Sequence, residues 1–121
     1  MTSRLDCLCL DAVDRERIAA FWCAVLGWEV VERDEQCVRI AGPDGGLPID
    51  VCGVPEAKAV KNRLHLDVRA DGSTTAQELE RLLGLGARPV DVGQTGDVPW
   101  HVLADPEGNE FCLLRSRVEP V

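Results

Sequence analysis

The sequence predicts an α+β fold of two similar modules, each a strand, a helix and three further strands. Three observations carry this. Leu8-Cys9-Leu10-Asp11 returns as Leu64-His65-Leu66-Asp67, and both alternate apolar and polar residues as a half-buried strand does. Each copy leads through an acidic turn into an apolar segment of helical period. Each such segment ends on Leu-Gly, at Leu26-Gly27 and at Leu85-Gly86. Repetition on this scale marks two copies of one supersecondary unit, whose equivalent strands are expected to line a shared cleft.

The elements follow in order. Residues 5–12 read as the first strand. Asp14 is a good N-cap for a helix over 15–26, with Glu16 in its first turn, where the helix dipole favours an acid. Ile18, Phe21, Trp22, Val25 and Leu26 form the inward stripe, and Gly27 ends it. Strands are expected at 28–33, 36–41 and 48–53, the last after the turn cluster Pro43-Asp44-Gly45-Gly46. Residues 54–61 contain Pro55, show no period and read as a linker. The second module opens with a strand at 62–69. Thr74 and Gln77 have capping-box spacing for a helix over 75–84, with Ala76, Leu79, Leu82 and Leu83 facing inward. Strands at 88–92, 99–104 and 110–115 complete it, the last two joined by the turn Asp105-Pro106-Glu107-Gly108-Asn109. The expected organisation is one domain: module one over 5–53, the linker, and module two over 62–115.

Composition narrows the function. A chain of 121 residues with 45% hydrophobic and 28% charged residues is long enough to bury about two thirds of its unfolded surface. A net charge of -8 repels phosphate backbones and anionic lipid while attracting cationic ligands, so neither nucleic acid nor membrane is an expected partner. The polar N-terminus gives no signal peptide, and the expected location is the cytoplasm. Six cysteines permit a disulfide framework, but a reducing cytosol argues against one, so most are expected to pack as small hydrophobes.

Three stretches together resemble a known pattern: Asp14 through Gly27-Trp28 with Phe21-Trp22 inside, Lys61 through Asp67, and Trp100 through Cys112 with its Asp-Pro-Glu-Gly-Asn-Glu-Phe core. The chain resembles the vicinal oxygen chelate superfamily, and within it the glyoxalase-like proteins of the glyoxalase/bleomycin resistance/dioxygenase type. The resemblance implies paired βαβββ modules forming a U-shaped mixed sheet around a cleft, commonly in a homodimer. It also implies either metal-dependent chemistry, as in glyoxalase I, extradiol dioxygenases and fosfomycin-modifying enzymes, or drug binding without chemistry. Metal-using members take His, Gln or Glu from the first strand of each module and Glu from the last. Those positions fall on Cys7, near Cys52, on Arg63 with His65 one step along, and on Cys112. The usual carboxylate and imidazole set is absent, so no oxygen-preferring ion is expected. A metal, if bound, would be a divalent transition ion such as zinc on Cys7, Cys52, His65 and Cys112.

Strand alternation sends Cys7, Cys9 and Asp11, and likewise Arg63, His65 and Asp67, to the cleft face. Arg63 is either a salt-bridge anchor to Asp67 or Asp11 or a ligand contact. His65, oriented by a carboxylate, suits proton transfer near neutrality, with Asp67 as its catalytic partner; the alternative is a histidine that only fixes strand geometry. Trp100 would wall an aromatic or cationic ligand or belong to the core, with His101 beside it. The expected function is a binder of a small organic molecule, with a cationic one favoured by the net charge, in a cleft without the usual metal site. The alternative is a lyase, isomerase or dioxygenase that uses His65 with the cleft cysteines or a metal.

Overall fold

The computed structural model describes residues 1–90 and 100–118, with the backbone alone at Trp100. The chain falls into two compact units, Met1–Ala57 and Lys58–Val121.

The first unit runs β1 (Leu8–Ala12), α1 (Arg15–Leu26), β2 (Glu29–Arg33), β3 (Cys37–Ala41) and β4 (Ile49–Gly53). Its sheet order is β1-β4-β3-β2, with β1 parallel to β4 and the other pairs antiparallel. Asp14 caps α1 by accepting the Arg17 N–H at 3.2 Å, and Gly27 closes it in the left-handed region at φ 68°. Ile18, Ala19, Phe21, Trp22 and Val25 are buried from the helix against Ala12, Val38, Ile40, Ile49 and Val51 of the sheet. Phe21 and Trp22 meet edge to face at 5.2 Å, a favoured arrangement of aromatic rings. Trp28 lies across Gly42, where a Cβ would stand 2.8 Å from the indole Nε1. Because alternate residues face opposite sides, the sheet face away from α1 carries Cys9, Asp50, Cys52, Cys37 and Arg39.

The second unit repeats the plan with β5 (Leu66–Val68), α2 (Thr75–Leu85), β6 (Arg88–Pro89), β7 (Trp100–Ala104) and β8 (Glu110–Leu114). The order is β5-β8-β7-β6, with β5 parallel to β8. Two helices on two four-stranded mixed sheets make the α+β, twice-βαβββ architecture that the sequence predicts. The capping box is present: Gln77 N–H donates to Thr74 Oγ1 at 3.1 Å, and Thr74 N–H to Gln77 Oε1 at 2.9 Å. Ala70, Leu82, Ala87, Leu103, Phe111 and Leu113 form the core.

Three expectations need correction. The α2 stripe of Ala76, Leu79, Leu82 and Leu83 is rotated: Leu82 is buried and Leu79 half-buried, but Ala76 and Leu83 are exposed, and Glu78 is buried instead. Arg81, one turn on, holds the Glu78 carboxylate by two hydrogen bonds of 2.7 and 2.8 Å, which makes the burial tolerable. The opening strand of module two begins at Leu66, not at 62. Asn62 spends its groups elsewhere, its N–H on Glu110 Oε1 at 3.0 Å and its side chain on Asn109 Oδ1 at 2.9 Å. Finally, Cys37 and Cys52, register partners on β3 and β4, form a disulfide, where free cysteines were expected. The expected strand at 88–92 is seen over Arg88–Pro89, and residues 91 and 92 lie outside the described residues. Among the described residues no helix is long and apolar enough to cross a membrane.

Candidate functional site

Each unit gathers three potential ligand or proton-handling groups by the same construction. Two side chains two residues apart, at or just before the opening strand, meet one from the last strand. In module two these are His65, Asp67 and Cys112, whose ligating atoms all lie within 4.8 Å of one another. Asp67 and Cys112 are direct register partners of the parallel β5–β8 pair, so their side chains share a face. His65 Nε2 stands 3.2 Å from Asp67 Oδ1, with 41% of the histidine side chain and 49% of the aspartate exposed. Cys112 is buried; burial first, and then the Asp67 charge and its hydrogen bond, push the thiol above its ordinary value. The group therefore combines an accessible imidazole, a carboxylate that orients it and a protonated thiol beneath.

In module one the group is Cys7, Cys9 and Asp50. Cys7 Sγ lies 3.9 Å from Cys9 Sγ and donates to Asp50 Oδ2 at 3.6 Å. Arg39 grips the same carboxylate from β3, Nε to Oδ1 at 2.7 Å and Nη2 to Oδ2 at 3.1 Å. The Arg39 hydrogen bonds hold the Asp50 carboxyl below the usual range despite partial desolvation. Desolvation, the hydrogen bond with Cys9 and the Asp50 charge push the Cys7 thiol up to about 11. A thiol so protonated at neutral pH is a poor nucleophile.

The other expected residues are placed differently. Asp11 is exposed and stands beside Cys52 in register, outside the cluster. Cys52 has no thiol to offer as a ligand, because its sulfur is bonded to Cys37. Asp50, one step back on the same face of β4, takes that place. Arg63 is exposed, and Asp67 pairs with His65 rather than with Arg63. His101 is the register partner of Leu113 and so faces the core side, opposite to Asp67 and Cys112; alternation removes it from the site. The Trp100 side chain lies outside the described residues. The residue missed from sequence is Asp50. Its signal was present in Ile49-Asp50-Val51-Cys52, where alternation gives Asp50 and Cys52 one face.

Two βαβββ units with matched side-chain clusters are the setting for comparison with known proteins. Residues 7–114 match the family described as a glyoxalase-like domain. The chain belongs to this family. No curated protein matches the chain in sequence. Among solved structures, a glyoxalase/bleomycin resistance protein/dioxygenase family enzyme from Burkholderia phytofirmans PsJN is 19% identical, with a TM-score of 0.69 over 92% of this chain and 97% of that one. The fosfomycin resistance protein FosX from Listeria monocytogenes, complexed with Mn(II) and sulfate, is 17% identical, with a TM-score of 0.72 over 98% of this chain and 94% of that one. The oxidase ChaP-H2 is 16% identical, with a TM-score of 0.58 over 96% and 95%. At these identities the likeness is one of fold.

The donor sets in this glyoxalase-like chain do not suit manganese. Mn(II) favours octahedral oxygen coordination. Each cluster supplies one carboxylate, already engaged by Arg39 in one case and His65 in the other, and the remaining donors are three thiols and an imidazole.

Proposed function

We propose that this glyoxalase-like protein binds a small organic molecule, preferentially a cationic one, at the His65–Asp67–Cys112 cluster of module two, without the family's oxygen-liganded metal. The observation that carries this is the convergence of His65, Asp67 and Cys112, with the imidazole and carboxylate left accessible. The net charge of -8 favours a cationic ligand. The reading includes a homodimer, and native mass tests it.

The His65–Asp67 contact favours a second reading, an isomerase or lyase that moves a proton without a metal. With Nε2 held by Asp67, Nδ1 is the ring nitrogen that would act as the base. Asp67 would stabilise the imidazolium formed when that nitrogen takes a substrate proton.

A thermal-shift screen of organic cations and small oxo acids tests the binding reading. A ligand at a hundred times its Kd raises stability by about 2.7 kcal/mol, and no shift across a broad panel would refute binding. With a turned-over ligand in hand, His65→Ala is expected to cut kcat by about 10²-fold or more if His65 transfers the proton. Full turnover in that variant removes the catalytic reading and leaves binding standing.

A further inference from the structure

The cluster in module one has no part in the function proposed above, and its dimensions carry chemical information of their own. Cys7 Sγ and Cys9 Sγ are 3.9 Å apart, Cys7 Sγ and Asp50 Oδ2 are 3.6 Å apart, and the three ligating atoms lie within 4.8 Å. A tetrahedral zinc, with Zn–S of about 2.3 Å and Zn–O of about 2.0 Å, spans about 3.8 Å between two thiolates and about 3.5 Å from thiolate to carboxylate oxygen. An octahedral oxygen cage would close its adjacent donors to about 3 Å. The two separations match the tetrahedral edges of a zinc-like ion, and it is the two sulfur donors that disfavour a hard one.

The support around the cluster is consistent with this. Arg39 fixes the Asp50 carboxylate by two hydrogen bonds, and Arg39 itself reaches Asp6 at 3.4 Å. Ligating carboxylates are commonly oriented by such outer partners. Cys9 and Asp50 are register partners on adjacent parallel strands, so their spacing is set by the sheet rather than by a loop. Cys9 is exposed and Cys7 half-buried, which leaves an approach from solvent.

We propose that Cys7, Cys9 and Asp50 form a thiophilic metal site in module one that takes a zinc-class divalent ion in preference to manganese. Three protein donors leave one tetrahedral position for water or an added ligand. Binding releases the thiol protons to solvent and changes no oxidation state.

The test uses the full chain, stripped of metal under reducing conditions and titrated with cobalt(II) as a spectroscopic stand-in for zinc. The expected result is one ion per chain with sulfur-to-cobalt charge-transfer absorption, displaced by zinc and not by manganese. Cys7→Ser and Cys9→Ser should each abolish the absorption, with circular dichroism confirming that the variants fold. Asp50→Asn and Arg39→Met should weaken binding by about tenfold or more. The Cys37→Ser/Cys52→Ser variant should retain the absorption, which separates this site from sulfurs freed by reduction of the disulfide. Absence of the charge-transfer band, its persistence in the Cys7→Ser/Cys9→Ser variant, or equal competition by manganese would overturn the proposal. Ligand binding and turnover at His65 are read by separate experiments, so the site and the function proposed for module two fail separately.

Discussion

Asp105 is wholly buried at the β7–β8 turn. Its Oδ1 accepts the Glu107 N–H at 2.9 Å and the Asn109 N–H at 3.0 Å, and its Oδ2 accepts the Asn109 amide at 2.9 Å. The Asp-Pro-Glu-Gly-Asn motif thus works as a hydrogen-bonded turn, with Gly108 at φ 95°, where a side chain would be strained. Asp105→Asn would keep one oxygen but set an amide N–H₂ against that of Asn109. Leaving such a buried donor unsatisfied costs about 2 kcal/mol, measurable as a lower urea midpoint with an unchanged m-value. The same scale explains what the sequence could not show about the sites. Cys7, Cys9, His65 and Asp67 were legible because alternation assigns their faces, and Cys112 because the family resemblance marks its position. Asp50 was passed over for Cys52, since both share a face and only the pairing of Cys37 with Cys52 tells which is free.

At the scale of elements, α1 was readable in both caps, Asp14 and Gly27, and in four of its stripe residues, while Leu26 is half-buried and Ala19 is buried as well. The rotation of α2 was hidden because it depends on Arg81 neutralising Glu78, an i,i+3 pairing that apolar periodicity ignores. The two stripes differ in a measurable way. Leu82→Ala is expected to cost about 2–5 kcal/mol as a buried truncation, whereas Leu83→Ala, at an exposed position, should stay within about 0.5 kcal/mol. Equal losses in chemical denaturation would contradict the observed rotation. The disulfide makes a separate prediction for the β3–β4 hairpin. It closes a loop with a sequence separation of 15, for which chain entropy gives about 3 kcal/mol. Cys37→Ser/Cys52→Ser should lose about that much in oxidised buffer and nothing further on adding reductant, while the native protein should fall to the same level.

Over the whole molecule, the repeat legible in two tetrapeptides extends to strand order, to the parallel pairing of opening and closing strands, and to the construction of the side-chain clusters. What differs between the copies is the chemistry: two thiols and a carboxylate in one, an imidazole, a carboxylate and a thiol in the other. The segment that opens the second unit also has work of its own. Lys58 Nζ meets Glu110 Oε2 at 2.7 Å, with side chains only 16% and 12% exposed, and Asn62 reaches both Glu110 and Asn109. A stretch without regular structure therefore belongs to the second unit as firmly as a strand would. For evolution or engineering, the chain has a seam between Ala57 and Lys58. Severed there, the second half keeps every one of these partners. Severed five residues later, it would inherit a half-buried glutamate with neither its cation nor its backbone donor, and the motif at 105–109 would lose the neighbour that braces it.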